Sequence, residues 1–109
     1  MRVSFYTSPS GRSPIEEFIR SLPKRDQARF ADVYKGIKEY GFDCPRVVFK
    51  HLRGKLWEIK FTAPEGGYRI CYVTIEKDSM VWLHAFKKMS QKTPLRDLEV
   101  AEQRMKEVL

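Results

Sequence analysis

Leu56-Trp57-Glu58-Ile59-Lys60-Phe61, then Tyr68-Arg69-Ile70-Cys71-Tyr72-Val73-Thr74-Ile75, then Met80-Val81-Trp82-Leu83-His84-Ala85-Phe86 are three β-rich runs split by two short turn-forming segments. The first alternates: Trp57, Ile59 and Phe61 fall on one side, Leu56, Glu58 and Lys60 on the other, as in a half-buried strand. The second run is apolar on nearly both sides, as expected of a central strand, so Arg69 stands out. The third is also apolar on both faces, with His84 as its polar exception, and it runs directly into Lys87-Lys88. Ala63-Pro64-Glu65-Gly66-Gly67 and Glu76-Lys77-Asp78-Ser79 are rich in turn formers. Strands joined by such short connections must be antiparallel.

Outward from this meander the periodicity changes. Arg2–Tyr6 alternates and predicts a first strand. Ser13-Pro14-Ile15-Glu16 predicts a helix start, with serine as cap, proline at the first helical position and glutamate completing a capping box. Ile15, Phe18, Ile19 and Leu22 form a stripe at helical spacing. Lys24–Tyr40 predicts a longer helix with Phe30, Val33, Tyr34 and Ile37 inward and Gly41 as its stop. Its outer face, expected to be solvated, carries Lys24, Arg25, Asp26, Arg29, Lys35, Lys38 and Glu39. Phe42–Leu52 gives little signal; Val47-Val48-Phe49 fits a short strand or a packed loop. Thr93 is expected to cap a last helix opened by Pro94, with Leu95, Leu98, Ala101, Met105 and Val108 facing inward. The order over residues 1–109 is β-α-α-β-β-β-α. This is a single α+β domain, with a small antiparallel-rich sheet, an N-terminal helix pair and a C-terminal helix.

Composition excludes several classes. No apolar run approaches the roughly 20 residues that span a bilayer, and MRVSFYTSPSGR lacks the apolar core of a secretory signal, so a cytoplasmic location away from membranes is expected. Cys44 and Cys71 match no metal-ligand spacing and no disulfide scaffold. No metal and no cofactor is expected. The net charge of +7 is unevenly spread: residues 1–45 carry +2, residues 46–96 carry +7 and residues 97–109 carry −2. The excess sits on the meander and its flanks, where it attracts polyanions such as RNA.

Cleaving RNA without a metal needs three acts. A 2′-hydroxyl must lose a proton, charge on the phosphorus centre must be stabilised, and the leaving 5′-oxygen must gain a proton. Guanidinium and ammonium groups suit the second act; a carboxylate, imidazole or lysine suits the others. Glu58, Lys60, Arg69, His84, Lys87 and Lys88 offer all of these, with Arg53, Lys55 and Lys92 as further cations for flanking RNA. Each also has a plainer role. Glu58 and Lys60 fit solvent-side positions, Arg69 an ion pair with Glu58, His84 a satisfied core histidine, and Lys87-Lys88 ordinary strand-end charges. Trp57, Tyr68, Tyr72 and Trp82 are expected mostly in the core, although one exposed ring could stack a base.

Leu56–Lys60, Tyr68–Tyr72 and above all Leu83-His84-Ala85-Phe86-Lys87-Lys88 followed by Ser90-Gln91-Lys92-Thr93-Pro94 resemble the HigB-like, phage Gp49-like branch of the RelE/ParE toxin superfamily. The resemblance covers essentially the whole chain. It implies a RelE-like fold and the toxin of a type II toxin–antitoxin system. Such toxins are endoribonucleases (mRNA interferases) that cut messenger RNA on the ribosome without a metal and are held in check by a helix-turn-helix antitoxin. Lys60 and Arg69 then match basic positions used on the scissile phosphate, and Lys87 or Lys88 matches a further basic residue at a strand end. Glu58 stands where RelE has a lysine, and RelE's tyrosine just beyond that strand is absent. Glu58 and His84 are therefore the expected proton carriers. Two other readings start from the same basic sheet: a non-enzymatic RNA- or protein-binding module, and a ParE-like gyrase inhibitor.

Overall fold

A computed structural model describes residues 1–109. In chain order the elements are β1 (Arg2–Phe5), α1 (Pro14–Arg20), α2 (Lys24–Tyr40), a single 3₁₀ turn at Gly41–Asp43, β2 (Val48–Arg53), β3 (Leu56–Ala63), β4 (Gly66–Glu76), β5 (Ser79–Lys87) and α3 (Leu95–Val108). The sheet order is β1-β5-β4-β3-β2; β1 is parallel to β5 and every other pair is antiparallel. The α+β class, the helix pair and the final helix agree with the sequence reading. The strand count does not, because Val48–Arg53 is a fifth strand and not a loop. Its weak signal has a physical cause: an edge strand with one bonded neighbour tolerates exposed Val48, Lys50 and His51.

α1 and α2 cover one face of the sheet. Ile15, Phe30, Val33 and Ile37 pack there against Ile59, Phe61, Tyr68, Ile70, Tyr72, Met80, Trp82 and Ala85, nearly all of them fully buried. Rings meet edge-on, as at Phe30–Phe61 (4.9 Å, 82°) and Tyr34–Trp82 (5.9 Å, 86°). Burying each such side chain stabilises the fold by about 1.5–3 kcal/mol. α3 crosses the opposite face, where Ala101, Leu98, Met105 and Val108 meet Leu56, Cys71, Val73, Leu83 and Phe86. Burial on that face pushes the Cys71 thiol well up, with the Glu58 carboxylate adding to the effect, so it is held as a thiol.

Local expectations fail in six places. Ser13 makes no side-chain cap bond. Glu16 turns to Arg20 (3.3 Å) and does not close a capping box. Thr93 is drawn away from the start of α3 by Glu58, as described below. Leu95, at the first turn of α3, is 64% exposed, because the helix begins beyond the apolar part of the sheet. Trp57 is 38% exposed, because neither α1 nor α2 reaches the β2 side of the sheet.

The sixth is Asp26, which is fully buried and not on a solvated face. Its carboxylate accepts from Tyr68 Oη (2.5 Å) and from the backbone N–H of Glu65 (3.1 Å), tying α2 to the β3–β4 turn. Burial and the bond to Asp26 push the Tyr68 hydroxyl up to about 12.

Candidate functional site

Strand pairing decides which charged side chains meet. Lys60 lies opposite Arg69, Glu58 opposite Cys71, and Arg69 opposite Phe86, all projecting to the α3 face. His84 reaches the same face through a bulge. Trp82 pairs with Tyr72 and His84 with Cys71, so Leu83 is the extra residue between them. A bulge places two successive side chains on one side, and Leu83 and His84 both face α3.

Beyond the bulge the alternation resumes, and it separates the two neighbouring lysines. Lys87 pairs with Tyr68 on the α1–α2 face, its side chain running over Gly66. Gly66 has φ +149°, a backbone conformation that favours glycine, and a Cβ there would meet the mobile end of Lys87 (Cε at 2.8 Å). Lys88 falls on the α3 face beside Gly67, whose carbonyl accepts its backbone N–H (2.8 Å). The sheet therefore brings together Glu58, Lys60, Arg69, His84 and Lys88, and leaves Lys87 on the other side.

Within that group two residues are deeply held. Glu58 and Arg69 are both fully buried, with Glu58 Oε1 at 3.6 Å from Arg69 Nη1. The segment linking β5 to α3 closes over them as a strap. Arg69 Nη2 donates to the carbonyls of Ser90 (2.9 Å) and Gln91 (2.7 Å), and Nη1 donates to Thr93 Oγ1 (3.1 Å). Thr93 Oγ1 in turn donates to Glu58 Oε2 (2.6 Å). One hydroxyl thus bridges the two charges. Arg69 is the ion-pair partner of Glu58, and its guanidinium holds the strap. The solvent-accessible cations on this face are instead Lys60 and Lys88, both half-buried, and Lys92 at the strap's exposed turn.

His84 is clamped rather than free. Its Nε2 lies 2.7 Å from Asp97 Oδ1, and its Nδ1 lies 3.5 Å from Arg104 Nη1, which also donates to the Leu83 carbonyl (2.9 Å). A guanidinium donor facing Nδ1 fixes the neutral tautomer with its proton on Nε2, donated to Asp97. Burial lowers the His84 pKa, Asp97 opposes that shift, and Arg104 and Arg96 reinforce it. The ring also stacks on Phe86 (5.4 Å, 22°).

Of the outer cations, Arg53 is an ion-pair partner of Glu102 on α3. Lys55 lies in the β2–β3 turn, five residues before Lys60 and so about 17 Å away along the strand. Thr93, Asp97 and Arg104 complete the site, although no spacing in the sequence marks them as partners of β3, β4 and β5. No three His, Cys, Asp or Glu side chains are grouped so as to hold a metal ion. No helix is long and apolar enough to cross a membrane.

The arrangement is a cationic rim on Lys60, Lys88 and Lys92 above a buried carboxylate–guanidinium pair, with a neutral imidazole beside it. Comparison with curated proteins finds no match. The sequence profile of the family described as phage derived protein Gp49-like (DUF891) matches residues 17–106, which takes in α2, four of the five strands, the strap and nearly all of α3. The chain belongs to the phage-derived Gp49-like family of toxin-like proteins, within the RelE/ParE-like toxin superfamily.

Proposed function

We propose that this protein is a HigB-like toxin of a type II toxin–antitoxin system, an endoribonuclease that cleaves messenger RNA on the ribosome in the cytoplasm without a metal. The observation that carries the reading is the convergence of Glu58, Lys60, Arg69, His84 and Lys88 on one sheet face of a Gp49-like chain. The roles follow from access. Lys60 and Lys88 pair with non-bridging oxygens of the scissile phosphate and stabilise the charge that grows there. Lys92 and Lys55 track the flanking backbone, an electrostatic contribution that falls with salt. Arg53 holds the sheet to α3 and lends its charge to the same face.

Arg69 acts through its neighbours, holding Glu58 and the strap in place beneath the phosphate. Glu58 and His84 are the proton carriers of this reading; Thr93 and Arg69 hold the carboxylate, and Asp97 and Arg104 hold the imidazole. A shift of the strap that breaks the Thr93 bond bares the Glu58 carboxylate to a 2′-hydroxyl, and the strap runs from Thr93 and Pro94 directly into the first turn of α3, which carries Asp97. Lys87, on the opposite face, takes no part in the chemistry. Membership of the family implies an antitoxin partner; in this reading it is a helix-turn-helix protein.

Expression of the chain followed by 5′-end mapping of transcripts tests the proposal. Growth arrest with new 5′ ends inside translated regions is the expected result. Intact transcripts with DNA breaks would instead identify a gyrase poison, and harmless expression with salt-sensitive RNA binding would identify a non-enzymatic module.

A further inference from the structure

We infer that the free edge of β2, together with the aromatic cleft beside it, is a docking surface for an extended segment of a partner protein in which apolar and acidic residues alternate. Three observations converge on it. β2 is the last strand of the sheet, and none of its outward backbone groups is bonded elsewhere in the chain. An unpaired edge recruits a strand unless something covers it, and here no helix does. The bulge between His51 and Arg53 ends the regular stretch, so the pairable edge is Val48–His51.

The two faces flanking this edge differ in chemistry. On the α1–α2 side, Phe49 leads into a cleft of about 440 Å³ lined by Phe42, Phe49, Trp57, Tyr72 and Thr74. Phe42 is 50% exposed, and Tyr40, more than half exposed, stands nearby in sequence. Such a concentration of uncovered rings marks an interaction site on a small protein. On the α3 side the edge presents Lys50, opposite Glu58, and Val48, opposite Lys60 one strand in. From Arg46 to Lys55 the chain has four Lys/Arg and no Asp or Glu. Only Arg53 of these four is answered by a carboxylate, that of Glu102. A strand laid along β2 would therefore set every second side chain over the aromatic cleft and the intervening ones against Lys50. Apolar and acidic residues satisfy those two rows.

Other occupants fit less well. A second copy pairing through its own β2 would set this uncompensated cationic edge against itself, which destabilises cross-strand pairs. RNA would welcome the cations, but base stacking needs an open ring face. Here Phe42 and Phe49 meet edge-on (5.1 Å, 75°), Phe49 and Tyr72 likewise (6.1 Å, 82°), and His51 covers Trp57 at 5.0 Å. The cleft offers apolar walls and few flat platforms.

The inference rests on the proposed function only for the existence of a protein partner. Transcript cleavage and edge pairing are read separately, so failure of either leaves the other standing.

The test is a titration of ¹⁵N-labelled protein with a ten-residue peptide of alternating Leu and Glu. Backbone amide shifts at Val48–Arg53 are expected, with a change in Trp57 emission against the constant background of buried Trp82. Lys50→Glu, an exposed substitution, is expected to weaken binding by about tenfold and to favour a Leu/Lys peptide instead. A Leu-Leu-Glu-Glu peptide of equal composition is expected to bind poorly, because alternation places the two rows. No shift at saturating peptide, equal binding of both peptide orders, or shifts confined to Lys60 and Lys88 would overturn the inference. So would oligouridine moving the β2 amides, which assigns the edge to RNA, or concentration-dependent shifts there without peptide, which assign it to a second copy.

Discussion

The two faces of the sheet are built from the same strands and carry opposite kinds of core. Towards α1 and α2 the interior is a set of interlocked aromatic and aliphatic side chains, with one buried charge, Asp26, satisfied at a single corner. Towards α3 a smaller apolar cluster gives way, at the strap end, to Glu58, Arg69 and His84. Apolar burial alone would hold α3 more simply; replacing buried ion pairs with well-packed apolar side chains is often neutral or stabilising. One face supplies stability, and the other spends part of it on a polar site.

Substitutions break this comparison in graded steps. Arg69→Ala is expected to have the largest effect, a loss of about 3–5 kcal/mol in chemical denaturation, because it leaves Glu58 buried without its counter-charge and unties the strap. Arg69→Met with Glu58→Leu is expected to recover most of that stability while abolishing cleavage. Asp26→Ala removes the one polar anchor of the apolar face. It leaves Tyr68 Oη and the Glu65 N–H without their acceptor, for a loss of about 2–3 kcal/mol by the same measurement. Thr93→Val removes the bridging hydroxyl but keeps the shape, for about 1–2 kcal/mol, and should raise the hydrogen exchange of strap amides before that of the sheet.

A smaller effect separates the faces by pH. The folded His84 pKa lies below its ordinary value of 6.5, so the unfolded chain binds the extra proton first. The contribution of the neutral ring is whole above about 6.5 and is lost as pH falls from there through the lowered folded value. Wild-type protein should therefore lose stability over that window relative to His84→Gln. His51, exposed, is present in both chains and cancels in the difference. Acid exposure should loosen α3 while the α1–α2 face keeps its near-ultraviolet circular dichroism.

Much of this division was legible in the sequence. The alternation of Leu56–Phe61 assigned both faces of β3 correctly, and Arg69 and His84 stood out as polar residues in apolar strands. The ends of β5 were not legible, since the bulge at Leu83 shifts the alternation and so decides that Lys88, not Lys87, joins Lys60. No local pattern encodes a bulge whose partner is a strand away. Asp26 was misplaced for a related reason: helical spacing puts it near the outer face, and only the β3–β4 turn, 39 residues later, buries it. Thr93 carried a cap-like signal that tertiary partners overrode, because its hydroxyl donates to Glu58 and accepts from Arg69; Ser13 carried one too, yet its buried hydroxyl makes no hydrogen bond. β2 was faint because an edge strand need not be apolar on either side.

The central claim is that the rim formed by Lys60 and Lys88 is where messenger RNA is cut. The most direct measurement is the cleavage rate of a translated transcript on purified ribosomes with wild-type protein, Lys60→Ala/Lys88→Ala, and Lys87→Ala. Lys60 and Lys88 are only half-buried and unpaired, so the double variant should keep its stability within about 0.5 kcal/mol. The account predicts cleavage by wild type, a fall of at least about 100-fold in the double variant, and little change in Lys87→Ala. Undiminished cutting by a folded double variant, or a loss confined to Lys87→Ala, would contradict it.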